Sequence, residues 1–432
     1  MGHGMDLLLL KSVFVSLLAA VGILGVALLS EQQCERLVRP RVYGGLLLLQ
    51  RAAIFLFAYG LLHFGMPSDI PAYTSYGRAV WLGQLPGRDF STAYGPYFSY
   101  LVAGCLLILD HPLAIVLGMT VFEWVALQIF VAVAERAYGR ADVGRALWLY
   151  LWSPMAIMFV ALGGHNDAVV MCLAAMVFKA WGAGRTIRAT VMAAIAPLVS
   201  KLTACWLLIP LTIQRERWLM RGILYGLVIG LGLAPVVVGG VAPPEVIRKF
   251  LFASENFQRT SGNIWFLWTT VGPWPLGRHP WLSYTVTIVA LGGFWIWARR
   301  RNLRTIPDYL MCWIIASLIA LWCLHQSYPN YLVPVVFPVC LLVAQARQPW
   351  LCWLWSVGSA AGTLELAFRY RWILVSDAPR FGLWASQMAA QGAWWKVGIF
   401  GIVELVWLGC CVSVAVVASR KLCAAAVAYD AA

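Results

Sequence analysis

The amino-acid sequence predicts an all-α, polytopic membrane protein, and three observations predict it. Hydrophobic residues fill 62% of the 432 positions and charged residues only 12%, against about 25% charged in an ordinary soluble domain. Runs such as 7–29 and 222–241 are apolar on every face, whereas a membrane β-barrel would show roughly 10-residue segments of alternating character. Between the runs lie short connections rich in Arg and Lys, the pattern that orients helices in a bilayer.

Composition excludes other classes. The 32 Lys and Arg exceed the 18 Asp and Glu, for a formal charge of +14. In a soluble chain that excess would suggest nucleic acid, but here orienting loops explain it and no nucleic-acid partner is expected. The 11 Cys lie mostly inside apolar runs without metal-type spacing and read as small buried side chains. These residues call for no cofactor and no metal, and a divalent ion stays open. Residues 5–30 are long enough to span and lack a small-residue cleavage site, so they read as a helix that is kept.

Basic connections at 31–43, 135–145, 184–188, 214–221, 298–304, 345–349 and 419–421 belong together in the cytoplasm. An even number of crossings must then separate neighbouring connections. Between Tyr43 and Glu135 there are three apolar runs, 44–64, 97–109 and 113–134. The middle run is too short for the ~20 residues a span needs and is read as a juxtamembrane or re-entrant helix. That leaves a first external loop at 66–112.

Short spans follow at 146–161, 168–181, 189–200 and 203–213. Run 222–241 rises to a second external loop, 242–280, and runs 281–297, 307–323, 332–344 and 350–368 precede a last span ending at Arg420. The expectation is about thirteen spans in one integral membrane domain, 1–432, with the N-terminus outside.

Polar interruptions at Asp69, at 163–167, at Lys201 and at 325–331 all fall on the non-cytoplasmic side of this map, as does Arg259 of the second loop. Any one of them alone is best read as a loop tip. Their agreement in side and depth points to one wetted site, because ionisable groups are costly in lipid. Ser68-Asp69 also resembles the start of an amphipathic helix running to about Leu82, so Asp69 fits a helix cap as well as a base. Lys201 fits an interfacial anchor or a phosphate ligand, and His165 alone reads as structural. The 23 Trp read mainly as interfacial anchors. No P-loop, HExxH, GxSxG or strand-borne GxGxxG occurs, so the energy for any chemistry must arrive in the substrate.

The segment SDIPAYTSYGRAVWLGQLPGRDFSTAYGPY, 68–97, resembles the first external loop of GT-C glycosyltransferases, multi-pass enzymes that use polyprenyl-phosphate sugars. GGHNDAVV at 163–170, with GRTIRATVMAAIAPLVSKLTACWLLIP at 184–210, is similar to the bacterial mannosyltransferase branch. So is HQSYPNYLVPVVFP at 325–338. Two departures stand out: Gly95-Pro96 replaces the Pro-Pro of many members, and an extra apolar segment precedes the usual first span.

The resemblance implies Asp69 as general base, with Lys201 and more loosely Arg259 at the lipid phosphate. Tyr73, Arg88, Asp89, Tyr94, His165, Asn166, Asp167, His325, Gln326 and Tyr328 are the candidates for holding substrate. It implies an inverting transfer of a sugar, mannose in this branch, from a polyprenyl-phosphate donor to a lipid-linked or envelope glycan acceptor. The expected setting is a bacterial plasma membrane with its lipids and an external or periplasmic active site. A transporter or lipid and oligosaccharide flippase is the alternative. Transporters often carry inverted repeats, the two halves here show no convincing pairing, and the loop motif has no transporter explanation.

Overall fold

The computed structural model describes residues 2–66, 69–214, 216–246, 265, 280–301, 303–324, 327–373 and 381–430. These residues are almost wholly helical, and no strand occurs among them beyond an isolated bridge between Pro86 and Phe90. In chain order the helices are α1 (Gly2–Leu28), α2 (Glu31–Leu37), α3 (Pro40–Phe55), α4 (Ile70–Trp81), α5 (Phe98–Ile108), α6 (Leu113–Ala134) and α7 (Arg140–Leu151). They continue as α8 (Asp167–Gly182), α9 (Thr186–Val199), α10 (Leu208–Ile213), α11 (Trp218–Val238) and α12 (Pro280–Arg299). The last are α13 (Ile306–Cys323), α14 (Val336–Ala346), α15 (Pro349–Phe368), α16 (Phe381–Ala390) and α17 (Trp394–Asp430).

Local chemistry starts several of these helices. Ser30 and Gln33 form a capping box on α2, and Thr305 and Asp308 form another on α13, each satisfying two otherwise orphaned backbone N–H groups. Pro stands in the first turn of α3, α4, α13 and α15, where its missing N–H costs nothing.

Among the described residues, nine helical segments are long and apolar enough to cross a membrane, and α7 with the π-helical turn Ala156–Leu162 makes a tenth bent by 60°. The expected thirteen is reached only if α8, α9 and the segment Ala204–Ile213 also cross. α8, only 16 residues long, is buried along almost its whole length. A helix enclosed by protein need not match the hydrocarbon thickness, because its neighbours rather than lipid meet its polar ends. Its Phe178 packs against Phe130 and Trp313, and Phe130 in turn meets Trp313 and Phe337.

Seven basic connections gather at one end. Arg145 reaches Glu31 at 3.4 Å, Arg347 reaches Asp142 at 3.5 Å, and Lys421 donates to Gln345 at 2.7 Å. Arg299 lies over Trp218 at 4.6 Å and Arg221 over Trp181 at 4.8 Å, while Trp181 meets the edge of Tyr309 at 5.1 Å. α8 and α14 run toward this end from the opposite one, to which α9 runs back. Midway between, Arg51 of α3 donates to both oxygens of Glu123 on α6 at 2.7 and 3.1 Å, and the Tyr150 hydroxyl of α7 donates to the same carboxylate at 2.9 Å.

At the other end, α4 and α5 form a hairpin outside the bundle. Gly77 permits their approach, since a Cβ there would lie 2.8 Å from Leu106 Cδ1. With 11 residues, α5 is about 16 Å long and too short to cross. Its tip exposes Leu107 and Ile108 by 75% and 88%, as suits a helix lying at a bilayer surface. Arg259, His325, Gln326 and most of loop 242–280 lie outside the described residues.

Candidate active site

Five segments supply the site, and two of them arrive through π-helical turns, a distortion frequent at functional sites. The turn Leu56–Leu61 carries Tyr59, whose hydroxyl donates to the carbonyl of Leu162 at the end of the other such turn. Gly163 and Gly164 follow directly. Gly164 has φ +58° and its Cα faces Ile70, where a Cβ would lie 2.6 Å from Cδ1. Only glycine suits both the left-handed backbone and the contact. This turn sets His165 against the first residue of α4, beside Asp69.

Asp69 occupies the N-cap position of α4, yet its side chain accepts no capping hydrogen bond. Its Oδ2 instead faces the Tyr94 hydroxyl at 3.3 Å, the Tyr73 hydroxyl at 3.5 Å and His165 Nδ1 at 3.7 Å. Tyr73 also donates to Tyr94 at 3.1 Å. A hydroxyl has one proton, so the chain runs Tyr73 to Tyr94 to Asp69. Burial pushes both phenols well above the ordinary tyrosine value, which keeps them as O–H donors. Of the two ways to read Asp69 from sequence, the cap is not formed.

The segment after α9 is shaped by a break. Pro197 sits in the last turn, Ser200 leaves the helical conformation and Lys201 is extended, so carbonyls that a continuous helix would use are free. The first loop takes them: Gly95 N donates to Ser200 O at 2.7 Å and Tyr97 N to Leu198 O at 3.1 Å. A Cβ at position 95 would lie 2.3 Å from the carbonyl oxygens of both Pro197 and Leu198. Gly95 stands where many GT-C members have Pro, and here a ring could neither fit nor donate.

Lys201 projects from this break to Asp167 Oδ2 at 3.4 Å, with its Nζ 4.8 Å from the centre of the Tyr331 ring and 5.4 Å from that of Tyr94. Tyr94 thus touches Asp69 with its hydroxyl and Lys201 with its face. Asn330, from the short 3₁₀ turn Pro329–Val335, donates to Asp167 Oδ2 at 3.0 Å and meets His165 Nδ1 at 3.3 Å. Asn166 points away from Asp69 and donates to Ser200 Oγ at 3.1 Å.

Exposure separates the two carboxylates. The side chain of Asp69 is 34% exposed and that of Asp167 fully buried. Asp69 can meet a hydroxyl from solvent, whereas Asp167 anchors Lys201. Among the described residues Asp167 Oδ1 and Asn166 Oδ1 have no hydrogen-bond partner. Burial, partly offset by Asp69, pulls His165 below its ordinary value of 6.5, so the imidazole is neutral at pH 7.

The remaining predicted residues lie elsewhere. Arg88 grips Asp89 through two bonds of 2.8 Å and also donates to Gly239 O at 3.3 Å. Together with the Leu85 N–H, Arg88 holds the Asp89 carboxyl down at about 2, and no contact among the described residues joins this pair to Asp69. Tyr328 stands edge-on to Tyr331 at 5.8 Å. Sequence reasoning did not single out Asn330, Tyr331 or Ser200. The signal available for Asn330 was its place in the polar turn after Tyr328-Pro329.

Fold and site together define an integral membrane protein whose polar centre closes one end of a helical bundle. Residues 87–214 match the family model described as alpha-(1->6)-mannopyranosyltransferase, N-terminal domain. The chain is a glycosyltransferase acting on mannose. The matched segment takes in Arg88, Asp89, Tyr94, the turn at 163–167 and Lys201. Among curated proteins, none matches the chain.

Proposed function

We propose that this mannosyltransferase inverts, taking mannose from a polyprenyl-phosphate donor to a lipid-linked or envelope glycan acceptor outside the cytoplasm of a bacterial plasma membrane. The single observation that carries the reading is the Asp69 side chain, turned from its own helix N-terminus into the cluster that holds Lys201. Asp69 takes the proton from the acceptor hydroxyl as its oxygen bonds to the anomeric carbon. The bond from that carbon to the phosphate oxygen breaks on the opposite face, and the lipid phosphate leaves as an anion beside Lys201 and Arg259. If the bond made is the alpha-(1->6) link of the family's description, inversion requires a β-configured donor. The basic connections at the far end of the bundle support the external placement.

Asp69→Asn tests the reading. The amide keeps the shape and caps a helix about as well as Asp, so folding and donor binding should persist. Transfer should fall by about 10²–10⁴-fold, the usual worth of a general base. Near-normal turnover in purified protein given radiolabelled polyprenyl-phosphate mannose would remove Asp69 as the base.

A further inference from the structure

His165 Nδ1 has two neighbours with opposite demands. Asp69 Oδ2, at 3.7 Å, could use a proton on that nitrogen, and Asn330 Nδ2, at 3.3 Å, could use a lone pair there. Only one can be satisfied. Asn330's orientation is settled by its other contact. Asp167 Oδ2 already carries the Lys201 ammonium and is a carboxylate oxygen, so only the amide NH₂ can face it at 3.0 Å. One amide hydrogen goes to Asp167, and the second then points at His165 Nδ1.

We propose that Asn330 is a positioning residue that fixes His165 as the tautomer protonated at Nε2, with Nδ1 a bare acceptor. This rests on the reading of Asp69 as the base. The nitrogen nearest Asp69 then carries no proton, and the Asp69 oxygen facing it, which already accepts from Tyr94, keeps its second lone pair for the acceptor hydroxyl. The partner of one ring nitrogen decides the state of the other. Asp69 at the start of α4, Asp167 of α8 and Lys201 beyond α9 are the charged groups that face the ring, with Phe159 against its edge. Without Asn330, the two carboxylates would draw a proton onto Nδ1, and His165 would pair with Asp69 and occupy its lone pair. Asn330 bridges a sequence separation of 163 residues to Asp167, so the C-terminal half of the chain sets the state of a base in the N-terminal half.

The test uses the full-length protein in nanodiscs, labelled with ¹⁵N-histidine. Only six histidines are present, and the signal set lost in His165→Gln is that of His165. In wild-type protein at pH 7 the His165 Nδ1 signal should be that of an unprotonated ring nitrogen. Asn330→Ala should move a proton to Nδ1, lower kcat on the order of 10–100-fold, the worth of the hydrogen bond to a charged group that Asp69 would then have to give up, and leave the donor KM nearly unchanged. In the His165→Gln background the same substitution should cost little, because no ring remains to pair with Asp69. A wild-type Nδ1 bearing the proton, or an equal cost of Asn330→Ala in both backgrounds, overturns the inference. The wild-type measurement needs no variant to fold. An Asp69→Asn enzyme that still turns over with the same His165 tautomer would instead overturn the reading of the base and leave the assignment standing.

Discussion

At the scale of single residues, Lys201 is the clearest case of one charge with one duty. Its side chain is 11% exposed, and its ammonium lies between two aromatic faces and a buried carboxylate, a setting that favours a compact cation over bulk. Lys201→Ala should raise the donor KM by at least about 10-fold, a loss of ~1.4 kcal/mol, and Lys201→Arg should raise it less. An alanine variant with wild-type donor affinity would make Lys201 an anchor only. His165 adds a pH signature. Its neutral form is favoured in the fold, so below its ordinary value of 6.5 the unfolded chain binds protons that the folded one resists. Stability should therefore rise with pH through that region. The rate should be level above the ordinary histidine value of 6.5 and decline only at some pH below it, a decline that His165→Gln should flatten.

At the scale of elements, the contact between the first loop and the broken end of α9 is the joint on which the site depends. Gly95→Ala forces a Cβ onto two backbone carbonyls at 2.3 Å, which cannot swing aside as a side chain can. Overpacking of this kind costs ~1–3 kcal/mol, and here it should also displace Lys201, so thermal stability and donor KM should worsen together. Gly95 and the break were visible in the sequence as a departure and as the Pro-Leu-Val-Ser-Lys run at 197–201, but their contact was not, because it joins residues about a hundred positions apart. The short α5 was legible from length alone. The Asp69 cap was undecidable from sequence, since the same Ser-Asp pair suits either geometry, and only the side-chain direction separates them. Asn330 was missed for the same reason as Gly95: its partners lie on distant turns.

Across the whole molecule, the distribution of charge gives a map with two ends. Polar turns from 69, 165, 201 and 330 meet at one, and arginine-rich connections meet at the other. A cysteine at Arg78, whose side chain is 53% exposed, and one at Arg140, 55% exposed, should react with impermeant reagents from opposite faces. Labelling of both from one side would break the topology. The ion pair of Arg51 and Glu123 binds α3, α6 and α7 in the interior. Removing one partner strands the other charge, so Arg51→Met should destabilise by about 3–5 kcal/mol, and adding Glu123→Leu should recover much of that.

The pairing of Lys201 with Asp167 also fixes a sum. Asp69, Asp167 and Lys201 leave the described cluster one negative charge in excess, with His165 neutral, and an incoming phosphodiester adds another. A partly enclosed pocket resists two uncompensated anions. Donor capture must therefore bring in positive charge, and the loop bearing Arg259 is the source we assign. With Arg259→Ala, the missing cation should be replaced by a proton. Calorimetry in buffers of different ionisation enthalpy should then show proton uptake on donor binding that the wild-type protein lacks, with affinity improving as the pH is lowered. Binding of the donor would thus be an act of neutralisation, and the Arg259→Ala measurement reads whether the second loop takes part in it.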